Sequence, residues 1–319
     1  MRLSLPGLDP FIILLLGAVV LAALAPAQGS AFEAVDLLST CAIALLFFLH
    51  GLRLSREAVV QGLVHWRLHL VILGVTFLLF PVAVVLLQTL APGIVITPLW
   101  AGLLFLAALP STVQSSIAFT STAGGNVAGA VVSAAASNLL GIVLTPLIVT
   151  LLSHVTGASL SFSGIGRVAL LLLLPFVLGQ VMRRWLADWA ARTRKVTAIT
   201  DRATIVLAVY VAFSEATNEG LWSVLPVVEI LRLMLVSTLL LGFILAASFW
   251  LAKALWFSRE DRIAIVFCGS KKSLAAGVPM AKLVFAGSAV GPVVLPLMIF
   301  HQIQLVICAW LARHWAGRP

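Results

Sequence analysis

Long apolar runs separated by short polar stretches are the dominant pattern along the chain. As helices, these runs are about long enough to cross a hydrocarbon layer roughly 30 Å thick. The pattern predicts membrane segments at residues 8–26, 34–51, 68–90, 97–121, 126–153, 165–186, 200–217, 231–256, 262–285 and 290–312. Prolines, glycines and polar residues within segments four and nine predict that both helices are discontinuous. The predicted fold class is therefore an all-α integral membrane protein of about ten transmembrane helices.

Weak internal similarity predicts that the chain is a duplication. Residues 16–19 (LGAV) resemble 178–181 (LGQV), residues 67–71 (RLHLV) resemble 232–236 (RLMLV), and residues 125–132 (GNVAGAVV) resemble 287–294 (GSAVGPVV). The matches keep one order and nearly one spacing, which predicts a single transporter domain over 1–319 with repeats at about 8–153 and 165–313. Because each repeat has five segments, the second copy would insert upside down, as in many secondary transporters.

The repeat also bears on the N-terminus, which allows two interpretations. An apolar run followed by Ala25-Pro26-Ala27 resembles a signal peptide with a cleavage site. However, Asp9 offsets Arg2, and the repeat gives this run a counterpart deep in the chain, where no signal peptide can lie. A retained first helix is the favoured interpretation.

Composition and charge exclude several classes of function. Hydrophobic residues make up 62% of the chain and charged residues 10%, whereas soluble domains carry about 25% charged residues. The net charge of +9 would suggest nucleic-acid binding in a soluble protein. Here most basic residues fall in alternate short loops, and the opposite side holds only Arg167 and Arg232. The bias predicts two cytoplasmic termini and no nucleic-acid partner.

Two adjacent lysines, Lys271 and Lys272, lie about ten residues into an apolar run over residues 263–285. A helix would place them near the middle of the bilayer, where a charge costs at least about 2.5–3.5 kcal/mol. Charges at such depth usually line a bundle interior or a watery cavity, and they mark functional sites. The pair therefore predicts a transport site.

Polar clusters occupy equivalent places in segments four and nine. The first is Ser111, Thr112, Gln114, Ser115 and Ser116, and the second is Gly269, Ser270, Lys271, Lys272 and Ser273. A helix break exposes backbone carbonyls, which suit a small cation, and a helix N-terminus, which suits an anionic group. The alternative is that these serines and threonines only form hydrogen bonds within their own helices. The match between the two clusters favours a site.

Three further polar positions are candidates with an open alternative. Ser133 and Ser137 lie four residues apart on one helical face, with Asn138 beside them. They either complete a polar pocket or merely allow close helix packing. Glu215 is a counter-ion for the lysines or part of a substrate entrance, or else an ordinary interfacial acid.

No enzymatic signature accompanies these residues. The chain contains no GxSxG, HExxH, Walker A or dinucleotide-binding pattern in a proper context. Its three cysteines lack the spacing of a metal or disulfide framework. The chain is therefore predicted not to be an enzyme and to need no cofactor other than an ion, and an ion gradient would have to supply the energy for transport.

The chain resembles the bile acid:sodium symporter superfamily, in particular its bacterial SBF-like branch. The resemblance is carried by residues 267–280 (FCGSKKSLAAGVPM), 210–215 (YVAFSE) and 109–116 (LPSTVQSS). It implies two inverted five-helix repeats in a bacterial inner membrane, with discontinuous helices four and nine crossing. It also implies sodium-coupled transport of an organic anion. Carried onto this chain, the implied ion ligands are Ser115, Ser116, Ser133, Ser137 and Ser270.

One departure from the family leaves the coupling ion open. Better-known members have an acidic residue and a glutamine among the segment-nine ligands, where this chain has Cys268, Ser270, Lys271 and Lys272. A lysine ammonium would repel sodium by roughly 4 kcal/mol at about 4 Å with an effective dielectric of about 20. Burial also disfavours the charged form of a lysine, so proton coupling is the alternative to sodium.

The resulting hypothesis is a cation-coupled symporter of an organic anion that works by alternating access. Its substrate-binding or coupling residues would be Gln114, Asn138, Lys271, Lys272, Ser273 and Glu215. The expected partners are the small organic anion and the lipid bilayer, without a protein partner. The alternative hypothesis is a channel or a non-transporting membrane regulatory protein, against which the paired helix breaks argue.

Overall fold

Helices account for nearly all of the described chain, since a backbone in a bilayer must satisfy its N–H and C=O groups within its own segment. The computed structural model describes residues 10–53, 65–156, 162–192, 194–285 and 290–316, and these ranges contain no β-strand. The longer helices are α1 (Pro10–Leu24), α2 (Gly29–Arg53), α3 (Trp66–Leu90), α4 (Thr97–Ala108), α5 (Gln114–Thr122), α6 (Val127–Thr156), α7 (Phe162–Arg192), α8 (Arg194–Asn218), α9 (Val227–Ala254), α10 (Arg259–Gly269), α11 (Leu274–Val284) and α12 (Val290–Ala316). Two short helical turns, Pro92–Ile94 and Leu221–Val224, lie between them.

Within the described ranges, six spans are long and apolar enough to cross a membrane by length and composition. They are α2, α3, α6, α9, α12 and the combined span of α10 and α11, while α1 and α4 are shorter apolar helices. Their lipid-sized apolar lengths confirm the prediction of an all-helical, multi-pass membrane protein. The number of crossings and the inverted repeat stay predictions.

The predicted segments fall on these helices with shifted ends. Segment two begins earlier, at Gly29, and segment six continues to Arg192, because a helix can run on past the apolar layer into polar sequence. Segments four and nine are each divided, into α4 and α5 and into α10 and α11. The chain ends and residues 287–289 of the third repeat match lie outside the described residues.

The helices form two sets by their contacts. In the first set α2 packs along α7, while α8 packs on α1 and α2. In the second set α4 packs between α6 and α12, and α10 packs on α3, α5, α6 and α9. Helices α8 and α7 join the sets by packing against α11.

Segment nine lies at the centre of this arrangement. In its apolar window 94% of the residues are buried, compared with 28–44% in the other five spans. Lipid can therefore touch very little of it, and its polar residues meet protein groups from the helices on every side.

Candidate functional site

The first helix interruption follows from Pro110. A proline has no N–H to donate and disfavours helical geometry in the residue before it. Accordingly α4 ends at Ala108, and Leu109 takes an extended conformation with φ −73° and ψ 153°. The next helix, α5, begins at Gln114. The carbonyls at the end of α4 lose their helical donors and remain available to other groups.

The second interruption separates α10, which ends at Gly269, from α11, which begins at Leu274. Ser273 caps α11, because its hydroxyl accepts a hydrogen bond from the N–H of Ala276 at 3.2 Å. Gly269 lies so close to α3 that a Cβ there would come within 2.8 Å of Val75 Cγ1. This contact brings the turn of segment nine directly against α3.

The two interruptions meet and bond to one another. The N–H of Ser273 donates to the carbonyl of Pro110 at 2.9 Å. The Ser111 hydroxyl donates to the carbonyl of Cys268, and the Ser116 hydroxyl donates to the carbonyl of Phe267 at 3.2 Å. Side chains of the first break thus satisfy carbonyls at the end of α10, which its own helix leaves open.

Helix α6 completes this network from the side. The Ser137 hydroxyl accepts a hydrogen bond from the N–H of Ser111 at 3.0 Å. The Asn138 amide donates to the carbonyl of Ser111 at 2.8 Å and to that of Ala134 at 2.9 Å. These bonds replace the helical partners that the first break removes, so α6 holds the broken backbone of segment four in place.

The predicted ion ligands divide between this network and other contacts. Ser116 and Ser137 each bond to Ser111, and the Ser115 hydroxyl joins through Thr112 at 2.8 Å. By contrast, Ser133 lies 2.7 Å from His69 Nδ1, and the Ser270 hydroxyl donates to the carbonyl of Val266 at 2.6 Å. The described residues also hold no group of three or more His, Cys, Asp or Glu placed to bind a metal.

Lys272 is fully buried, and its ammonium group is fully hydrogen-bonded. It donates to the carbonyls of Thr76 at 2.7 Å, Ala107 at 2.7 Å and Leu109 at 2.8 Å. The ring of Phe80 lies 4.3 Å from the nitrogen. Since a lysine ammonium has three donors, none is left for a further ligand in this conformation.

Lys271 has the opposite environment, although it is also fully buried. Its nitrogen has no hydrogen-bond partner among the described residues. It lies 3.6 Å from the centre of the Phe119 ring and 5.6 Å from that of Phe267. Neither lysine forms an ion pair with a carboxylate in the part of the chain that the structure describes. The site therefore presents one ammonium group whose donors are unused.

Glu215 lies apart from the lysines. It lines a cavity of about 370 Å³ together with Gln28, Gly29, Phe32, Asn218 and Glu219. The lysine near this region, Lys282, pairs with Asp36 at 2.9 Å. Glu215 forms no ion pair with Lys271 or Lys272 among the described contacts, whereas a place beside an open cavity suits its alternative role in an entrance. Gln114 is exposed at the start of α5.

Sequence reasoning missed Gln304 and Thr76. The Gln304 side chain accepts from the N–H of Lys272 at 2.9 Å and donates to its carbonyl at 3.0 Å. A glutamine within an apolar run is a usable signal for Gln304. Thr76 contributes only its backbone, and the sequence carries no signal for it. In an α-helix Pro81 would free the carbonyl of Phe77, and only the π-helical turn over Val75–Leu79 shifts this effect to Thr76.

The similarity to known proteins covers nearly the whole chain. The family model of the SBF-like CPA transporter family matches residues 9–317. The Escherichia coli K12 protein named "Putative symporter YfeH" is 51% identical over 308 residues, which cover 97% of this chain and 93% of that protein. Sodium/bile acid cotransporter 7 of Mus musculus is 31% identical over 93% of this chain and 88% of its own length. The Danio rerio protein of the same name is 30% identical over 83% of this chain and 80% of its own length.

Proposed function

Since the chain belongs to the SBF-like CPA transporter family, we propose that it is a secondary transporter that carries an organic anion with a cation by alternating access. The proposal includes ten membrane crossings in two inverted repeats, with helices four and nine crossing at their breaks. It also places the protein in a bacterial inner membrane with both termini in the cytoplasm. The names of the relatives, a symporter and sodium/bile acid cotransporters, support cation-coupled symport.

The observation that carries the proposal is the meeting of two broken helices around two buried lysines. The breaks come from opposite halves of the chain and are joined by hydrogen bonds. Broken helices that meet in a bundle interior are the usual construction of a transporter site. Because the buried positive charge has no carboxylate partner among the described residues, an anionic substrate is the chemically complementary ligand.

Lys271 is the residue that we assign to the anion. Its ammonium group has no acceptor in the part of the chain that the structure describes, so an anionic oxygen would supply the hydrogen bonds that it lacks. The N-terminus of α5, with Gln114 and Ser115, and the side chains of Asn138 and Ser273 are the proposed neighbours of the substrate. Glu215 is assigned to the entrance, at the cavity of about 370 Å³.

Two coupling ions are compatible with this assignment. The hydroxyls of Ser116 and Ser137 and nearby backbone carbonyls offer oxygen ligands for sodium, although a charged Lys271 would oppose it. Alternatively, Lys271 itself takes up a proton as the anion enters, so that the two move together. Thermal unfolding of the purified protein separates these cases, because a ligand bound only by the folded state raises the melting temperature.

That measurement compares sodium with potassium and choline across a pH series. A rise of the melting temperature that is specific to sodium supports sodium coupling. A melting temperature that depends on pH but not on sodium supports coupling to protons. A protein that responds to neither ion would contradict cation coupling.

The anion assignment is tested by uptake into liposomes containing the purified protein. The substrates are a panel of radiolabelled organic anions, starting with cholate because of the relatives' names. We expect Lys271→Met to reduce gradient-driven uptake roughly 10- to 100-fold, as expected for a lost charge-assisted hydrogen bond. The control is Lys253→Met, at an exposed lysine near the end of α9. Equal uptake by both variants would contradict the assignment.

A further inference from the structure

Three backbone carbonyls converge on one buried point, and the nitrogen of Lys272 occupies it. They belong to Thr76 in α3 and to Ala107 and Leu109 at the break of segment four, at 2.7, 2.7 and 2.8 Å. The Phe80 ring lies on a further side, 4.3 Å away. We call these three carbonyls and this ring the carbonyl cage.

Proline explains why the Thr76 carbonyl is free. Between Val75 and Leu79, α3 makes a π-helical turn, in which the N–H of Phe80 bonds to the carbonyl of Val75 five residues earlier. In the same register the donor for Thr76 would be residue 81. That residue is Pro81, which has no N–H. The Thr76 carbonyl therefore needs a donor from another part of the chain.

A second proline frees the other two carbonyls. The helical donor for the carbonyl of Ala107 would be the N–H of Ser111, but this N–H donates to Ser137 instead. Leu109 lies beyond the end of α4 in an extended conformation, directly before Pro110. Both carbonyls consequently face the interior without a partner in their own helix.

Three buried acceptors around one point require either a cation or a group with several donors. A buried carbonyl without a hydrogen-bond donor has lost its contacts with water and gained nothing in return, so an empty cage would be strongly unfavourable. An ammonium group fits because it supplies three donors and a charge that the carbonyl dipoles and the aromatic face both stabilise. The charge itself is acceptable at this depth only because the cage surrounds it.

The backbone of Lys272 is also fixed, so that its side chain reaches the cage. Gln304 of α12 bonds to both its N–H and its carbonyl, at 2.9 and 3.0 Å. Through this one residue, α3, α4, segment nine and α12 are tied together.

We propose that the carbonyl cage is a binding site for a small monovalent cation of the ammonium type, which the protein fills with its own Lys272. The tethered ammonium is a permanent structural ion that holds α3 and the two breaks in register. This role is independent of the proposed transport function, since it concerns the assembly of the helices and is read out by stability rather than by uptake.

Lys272→Met tests the proposal, because methionine keeps most of the apolar stem but ends short of the cage. The matched control is Lys271→Met, at an adjacent lysine that is equally buried but whose side-chain nitrogen has no hydrogen bond to a described residue. In a buffer whose only cation is bulky N-methylglucamine, we expect Lys272→Met to melt roughly 5 °C or more below Lys271→Met. Adding ammonium should then raise the melting temperature of Lys272→Met in a saturable way, because the ion binds only the folded cage.

Titrations with other cations and with the other variants identify what the carbonyl cage recognises. Tetramethylammonium carries the same charge without an N–H and should have no effect. A similar rise with sodium would still support a cation cage, of broader selectivity. The wild type and Lys271→Met should not respond to ammonium, because their cage is already filled.

Three results would overturn the proposal: no loss of stability in Lys272→Met, an equal loss in Lys271→Met, or no response of Lys272→Met to ammonium. If Lys272→Met cannot be purified in folded form, the titration is made on Lys272→Gln. Its shorter amide donates at most two hydrogens, and the lack of an ammonium effect there would overturn the proposal equally.

Discussion

At the residue scale, Gln304 is the most specific support of the site, because both ends of its amide bond to the backbone of Lys272. We expect Gln304→Leu to lower the free energy of unfolding by roughly 2–4 kcal/mol, since it leaves two buried backbone groups without partners. The control is Gln302→Leu, two residues earlier on α12. The side-chain oxygen of Gln302 accepts no hydrogen bond from the described residues, so Gln302→Leu should lower the free energy of unfolding far less. Chemical or thermal denaturation in detergent measures both variants, and equal losses would contradict the role given to Gln304.

Lys271 and Lys272 are adjacent in the sequence, but their side-chain nitrogens differ in hydrogen bonding. Lys272 donates its three hydrogens to protein carbonyls, while the nitrogen of Lys271 faces an aromatic ring and no acceptor among the residues described. A buried ammonium without hydrogen bonds is costly unless a ligand completes its environment. This contrast is the reason for giving Lys272 a structural role and Lys271 a role in binding.

At the element scale, α2 and α7 approach so closely that only glycine fits at their contact. A Cβ on Gly51 would overlap the carbonyl oxygen of Phe176, and a Cβ on Gly179 would overlap that of Phe48. Small residues at such contacts are the usual means of close helix packing in membranes. The side chain of Gln180 adds a hydrogen bond to the carbonyl of Gly51.

We therefore expect opposite effects of alanine at two helical glycines. Gly179→Ala should lower the free energy of unfolding by about 1–3 kcal/mol, because a backbone atom occupies the space that its methyl group needs. Gly242→Ala in α9 meets no atom within 4 Å, and should raise stability by about 0.5–1 kcal/mol through its better helix propensity. Thermal unfolding of the two variants side by side checks the sign of each effect. A neutral Gly179→Ala would mean that α2 and α7 lie further apart.

At the scale of the whole molecule, one ion pair among the described residues connects the two sets of helices. Lys282 of α11 lies 2.9 Å from the carboxylate of Asp36 in α2, and it also donates to the Asp36 carbonyl at 3.0 Å. The Asp36 side chain is 40% exposed, so solvent screens the pair and its contribution to stability is at most about 1 kcal/mol. If alternating access moves one set of helices past the other, this pair must break in each cycle.

We expect Asp36→Asn to change the uptake rate a few-fold, roughly 2- to 10-fold, while the melting temperature stays nearly unchanged. Lys282→Gln should have the same effect, and the double variant should be no worse than either single variant, because both changes remove one interaction. Glu33→Gln, at an exposed acid on the same helix, is the control. Additive effects of the two variants on uptake would show that the residues act separately.

Much of this protein is determined by the sequence alone. Apolar run lengths determine the helices and the membrane environment, because a bilayer admits few other structures for such a chain. Pro110 and the polar run after it indicate that segment four breaks, since a proline removes a backbone donor. The cost of buried charge singles out Lys271 and Lys272 before any coordinate is known.

Only the tertiary structure decided what these residues do with their neighbours. It brought the Thr76 carbonyl of α3 to Lys272 and separated Ser133 and Ser270 from the other predicted ligands. It also left Lys271 without an acceptor within the described ranges. The reason is physical: a hydrogen bond depends on positions within a few tenths of an ångström. Positions of that kind are set by how distant helices pack, and residue spacing along one helix does not contain this information.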